Sequence, residues 1–202
     1  MNIFYLSTRP EICAMLHCDA HVVKMILETA QILYSCHYTN NGAPPTADGL
    51  QPYRLTHANH PSCVWARSAA AHYNWLCDLG MALCARYTEI YKRTHKTQRH
   101  IELLAEVGFP GVDTFVKAPP PAITKYATKG LPPNIHWMAL AIDDNHKGCI
   151  SSNAKTSYLK YYASKYYSMK KPMRYNKRDK LPKRIKKYMH TVSPTPAPLT
   201  HN

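Results

Sequence analysis

Four side chains able to handle a proton or a phosphate, His21, Lys24, Glu28 and Gln31, recur at intervals of three, four and three residues. On a helix that spacing sets them in one line, because residues three and four apart are surface neighbours. Glu28 is the carboxylate of the line, and Lys24 stands one turn before it. A carboxylate so placed can take up and return a proton. The plainer alternative is a solvated helix face.

Other constellations are weaker. His57-x2-His60-x2-Cys63 gathers metal-ligand types, with Cys18 and His21 further off. Structural zinc sites usually present paired ligands such as Cys-x2-Cys, and no such pair occurs. The expectation is therefore no metal and no cofactor, with His57 and His60 bonded to loop backbone. Gly-x-Ser-x-Gly and a glycine-rich phosphate loop are both absent. Asp143-Asp144 reads as an exposed turn.

Charge adds a second signal. The chain of 202 residues carries a net +14, unevenly spread. Residues 1–154 hold 13 Lys and Arg against 11 Asp and Glu, whereas residues 155–190 hold the other 13 against Asp179 alone. A nearly neutral body thus carries a cationic arm, which attracts polyanions, nucleic acid first among them. In the arm Tyr158, Tyr162 and Tyr166 recur every four residues, flanked by Tyr161, Lys160 and Lys165. Lysines neutralise phosphates and tyrosine rings can stack on displaced bases, unless the rings pack inward.

These groups need a scaffold, and the pattern is helical. Asp19 reads as an N-cap for the helix bearing Glu28, whose other side carries Val22, Val23, Ile26, Ala30 and Leu33. A short helix from Pro10 to Cys18 precedes it, and Met1–Leu6 should bury against the core. Residues 40–56 are dense in turn residues and read as an exposed, mobile insertion. Asn59 or His60 before Pro61 starts a helix. Ser68 then caps a long one over Ala69–Thr94, in which Gly80 implies close packing on a neighbour. Gln98–Val107 forms another, stopped by Gly108 and Pro110. Six prolines between Phe109 and Pro133 suggest an extended strap, and Thr156–Met169 a tyrosine-rich helix. The fold class expected is mostly α: a compact helical domain with a long central helix, a Pro-rich surface strap and a basic C-terminal helix and arm. Residues 1–154 would form the core, 155–190 the arm packed on it, and 191–202 a disordered tail.

No apolar run is long enough to span a membrane, and seven cysteines, an odd number without regular spacing, suit reduced thiols. An intracellular protein is expected, with no membrane and no obligate protein partner.

The run Asp19-x-His21-Val22-Val23-Lys24 leading to Glu28 and Ala30-Gln31, then Tyr53-Arg54, Asn59-His60-Pro61 and Tyr73-x-Trp75-Leu76, resembles small phage and algal-virus proteins over most of residues 1–110. More distantly, and through short motifs, it resembles the pyrimidine-dimer DNA glycosylases of the phage endonuclease V type. That resemblance implies a compact helical protein whose N-terminal α-amine attacks the sugar C1′ of a damaged nucleotide, helped by a helix-borne glutamate. The imine formed on losing the base permits strand cleavage by β-elimination. Glu28 would be that glutamate. The family's nucleophile is usually a threonine exposed by removal of the initiator methionine. Here position 2 is Asn2, whose bulk disfavours removal, so Met1 would supply the amine. α-Amino groups titrate near pH 8, leaving roughly a tenth neutral at pH 7.

The expectation is thus a DNA glycosylase/AP-lyase acting on damaged or modified duplex DNA, with Met1 and Glu28 catalytic. His21, Lys24, Arg54, His57, His60, Arg67, Lys160, Tyr161, Lys165, Lys170, Lys171 and Arg174 would contact the nucleic acid. Two alternatives stay open. One is a non-catalytic viral nucleic-acid-binding or packaging protein working through its arm. The other is a nucleotide or modified-base enzyme with a His/Cys-rich site.

Overall fold

The computed structural model describes residues 1–112, 127–128, 135, 137–169 and 172–192. The protein is mostly α-helical, as its periodicity implies. Its helices are α1 (Pro10–Leu16), α2 (Asp19–Asn41), α3 (Pro61–Arg67), α4 (Ala70–Tyr91), α5 (Gln98–Val107), α6 (Ala154–Ser168) and α7 (Lys183–Lys186). Two short strands, β1 (Ala127–Thr128) and β2 (Met138–Ala139), pair antiparallel. A 3-10 segment spans Asp144–Cys149.

The two long helices, α2 and α4, pack on one another and form the centre. Val22, Met25, Ile26, Ala30 and Leu33 supply the buried side of α2, and Leu76, Leu79, Leu83 and Ile90 that of α4. Gly80 lets them close up: a Cβ there would lie 2.9 Å from Thr29 Cγ2 and 3.0 Å from Ile101 on α5. The close packing expected at Gly80 is therefore present. Ile3, Phe4, Tyr5 and Leu6 are all buried, and Trp75 Nε1 donates to Thr8 O at 2.8 Å. The N-terminal segment is a core element, not a loose end.

Several boundaries differ from expectation. α2 runs on to Asn41 and stops only where Gly42 turns left-handed (φ 75°), so residues 40 and 41 belong to helix rather than loop. Val23 is 36% exposed, and Met25 and Ile32 take its place in the core. Cys18 occupies the cap of α2, and Asp19 lies inside the helix. Ser68 closes α3, its Oγ donating to Trp65 O at 2.7 Å, while Ala69 caps α4. α4 ends at Tyr91 because Lys92 adopts a left-handed φ of 58°. The Pro-rich strap lies largely outside the described residues, as do residues 193–202 of the tail.

Asp19 has another task. Its two carboxylate oxygens accept from the backbone N–H groups of Asn176 and Lys177 at 2.9 and 2.7 Å, and its own N–H donates to Arg174 O at 2.8 Å. Asn176 and Lys177 both have positive φ, 54° and 59°, closing a tight turn between Tyr175 and Arg178. Met173, Tyr175 and Ile185 are buried. The basic segment is therefore stitched to the start of α2.

Candidate active site at the N-terminus of the chain

The backbone N–H of Asn2 donates to Glu28 Oε2 at 2.9 Å. Lys24 Nζ lies 3.1 Å from Glu28 Oε1, a helical i,i+4 pair whose lysine is 61% exposed and whose glutamate is 11% exposed. The carboxylate thus has one partner in the backbone and one lysine partner facing solvent. Met1 and Asn2 are half-buried, although the next five residues are buried. Standard bond lengths put the α-nitrogen of Met1, three bonds from the Asn2 nitrogen, roughly 3–4 Å from it.

The Asn2 side chain fixes this geometry. Its Nδ2 donates to Ala141 O at 2.7 Å, and its Oδ1 accepts from Ile3 N at 2.7 Å. The Tyr158 hydroxyl sits 3.0 Å from both Asn2 Oδ1 and Ala139 O, and accepts from Ala141 N at 3.1 Å. α2, α6 and the segment after β2 therefore converge on one residue at the start of the chain.

α3 brings in His60. Its Nδ1 accepts from Ser62 N at 3.2 Å, capping the helix, so the neutral ring carries its proton on Nε2. Burial first, then the positive N-terminus and His57, hold the His60 imidazole below its ordinary pKa, while Glu28 acts the other way. The Cys63 thiol is raised by burial, with Ser35, Arg67 and the N-terminus opposing. The His60 ring thus feels both the N-terminus and Glu28. His57 is exposed and left-handed (φ 54°), and Cys63 is buried. Among the described residues no group of three or more His, Cys, Asp or Glu is arranged to hold a metal.

The other sequence candidates divide. His21 Nδ1 meets the Tyr162 hydroxyl at 2.7 Å, and its ring stacks on Phe4 with centroids 4.8 Å apart. Desolvation, then the charges of His17, Lys24 and Lys165, push its pKa down to about 3. It is a neutral packing residue, not the cationic phosphate contact expected. Lys165 also lies 3.8 Å from Asp143 and over the Tyr161 ring.

Tyr161 is corrected as well. It is 5% exposed and its hydroxyl donates to Asp143 Oδ2 at 3.1 Å, so its ring offers no face to a base. Tyr158 and Tyr162 are fully buried in the core, and Tyr166 is half-buried against it. Arg67 donates to Ala58 O and pins the loop before α3. Arg54 is exposed, Lys160 half-buried, and Arg174 pairs with Asp179 at 3.1 Å on the surface. Lys170 and Lys171 lie outside the described residues. Asn2 was missed, since nothing local marks an asparagine whose partners lie 26 to 156 residues away.

The chain matches no protein-family model, no curated protein and no solved structure. Among the described residues no helix is long and apolar enough to cross a membrane.

Proposed function

We propose that the protein is a DNA glycosylase/AP-lyase that works through an imine between its N-terminal amine and the sugar C1′. The observation that carries this reading is the Asn2 N–H to Glu28 hydrogen bond, which holds the amide of the second residue, one residue along from the terminal amine, against a sheltered carboxylate. An amine has a nucleophilic lone pair when neutral, and a carboxylate within reach can accept its proton.

The steps balance as follows. The neutral amine attacks C1′, the bond from C1′ to the base breaks, and the base leaves with a proton. Opening of the sugar ring at O4′ gives a protonated imine at C1′. Glu28 then removes a proton from C2′, and the electron pair expels the 3′-phosphate. Water hydrolyses the imine and releases the amine. Asn2, fastened by Ala141 and Tyr158, acts as a positioning residue. Lys24, exposed and able to swing from Glu28 to a phosphate, frees Oε1 when DNA arrives. His60, whose ring feels both the N-terminus and Glu28, offers an Nε2–H donor.

The test is incubation with a duplex containing one abasic site. Strand cleavage by the wild type, lost in Glu28→Gln and after selective acetylation of the α-amine, supports the reading. Equal cleavage by the acetylated protein overturns it.

A second reading is favoured by the charge of residues 155–190: a non-catalytic nucleic-acid-binding protein. It predicts salt-sensitive DNA binding with no strand cleavage at all.

A further inference from the structure

A concave site lies along the N-terminal segment from Asn2. Residues 6–9 of that segment, the first turns of α6 and the end of α7 enclose a cavity of about 500 Å³. Four cations line it, Arg9, Lys155, Arg184 and Lys187, and no carboxylate does. Among the described residues, Lys155, Arg184 and Lys187 have no carboxylate within 4.0 Å, and Arg9 has only an exposed contact with Glu11 at 3.9 Å. Thr8, Thr156 and Tyr188 also line it.

This placement is built into the fold. Ile185 is buried and fixes α7, so Arg184 and Lys187 face this cavity while Lys183 and Lys186 face another hollow on the other side of the helix. Leu6 and Leu159 are buried at its floor. α6 adds the positive end of a fifteen-residue helix, with Asn153 capping Thr156 N–H at 3.0 Å. A cleft walled by one sign of charge focuses its field and draws in a counter-ion. Its volume suits a nucleotide-sized ligand rather than a bare ion.

From these features we infer that the cavity is a phosphate-binding site for a phosphomonoester, carried by a mononucleotide or by the 5′ end of a nucleic-acid strand. The doubly charged end group has no neighbouring nucleotide on its far side, so three of its oxygens are free to meet the cations. Arg184 supplies a planar fork of donors, and Lys187 and Lys155 supply point charges. Tyr188, its ring 4.8 Å from Lys187 Nζ, is placed to cover the attached nucleoside. None of this needs the amine chemistry at Glu28; the site stands or falls by binding alone.

The experiment compares binding of a short single strand bearing a 5′-phosphate with the same strand bearing a 5′-hydroxyl, by fluorescence anisotropy on the full chain. Thymidine monophosphate and inorganic phosphate serve as competitors. The phosphorylated strand should bind roughly tenfold more tightly. That preference should vanish in the Arg184→Ala/Lys187→Ala variant. It should persist in Lys183→Ala/Lys186→Ala, which removes the same charge from the other side of α7. Competition by the mononucleotide at low concentration identifies a free nucleotide as the occupant; competition only by phosphorylated strands identifies a strand end. Equal binding of the two strands to wild type, with no mononucleotide competition, overturns the site. So does loss of the preference in both double variants alike, which would mean diffuse charge.

Discussion

Glu28 Oε2 accepts the backbone N–H of Asn2 across 2.9 Å, tying the first peptide of the chain to the middle of the second helix. Twenty-six residues of sequence separate them, and the fold closes that distance by burying residues 3–7 beneath α2, α4 and α6. The Asn2 amide is thereby held against a carboxylate that also pairs with an exposed lysine.

Glu28→Gln keeps the shape and the acceptor for Asn2 but removes the base. Cleavage at an abasic site should fall by roughly 10²- to 10⁴-fold, the range that general acid–base groups contribute. Affinity for the same DNA should change little. Single-turnover cleavage and anisotropy on one duplex distinguish the two effects, and a variant that cleaves at the wild-type rate removes Glu28 from the chemistry.

Asp19→Ala should loosen the basic segment. The substitution removes two charge-assisted hydrogen bonds to the turn at Asn176 and Lys177, a loss of about 2–4 kcal/mol in all. Urea denaturation reads the stability, and limited trypsin digestion should cut first after Lys177 and Arg178. Unchanged stability and unchanged cleavage would mean that the turn holds without Asp19.

That turn also marks how far the sequence is legible. The helix over Gln98–Val107 is readable to the residue, because Gly108 and the spacing of Ile101 and Leu104 are local signals. The same holds for Gly80, whose cost inside a helix implies a neighbour at close range. The role of Asp19 is not readable: an aspartate before an apolar run has the signature of a cap, and only the return of residues 174–177 gives it another use. The tyrosines of α6 show a third kind of limit. Spacing alone does not say which side of a helix meets the core, and burial of Tyr158, Tyr161 and Tyr162 answers that. Glu28 and Lys24 are visible as a pair in the sequence, but the partner that gives the pair meaning, Asn2, becomes visible only in three dimensions.

Gly80→Ala should destabilise the protein by about 1–3 kcal/mol, since the added methyl must displace Thr29 or Ile101 in a close-packed interior. A lowered Tm with unchanged DNA affinity is the expected pair of results. An unchanged Tm would mean that α2 and α5 yield freely there.

Acid should weaken the fold through histidine. Desolvation lowers the pKa of His17 to about 4 and that of His21 to about 3, so both are neutral when folded at pH 7. Unfolded, each takes up a proton near pH 6.5. Below that pH the unfolded chain binds protons that the folded one does not, and stability falls until the folded groups protonate near pH 3–4. Between pH 7 and pH 5 the loss is about 2 kcal/mol from His17 alone. Denaturant titrations at the two pH values measure it. His17→Gln should show the shallower slope, and identical slopes would contradict the assignment.

The most direct measurement is mass spectrometry of the protein after borohydride reduction in the presence of abasic-site DNA. The account predicts one stable adduct per chain, carried by the N-terminal peptide on its α-nitrogen. An adduct on a lysine side chain, Lys24 included, or no adduct under conditions where the DNA is bound, would contradict it.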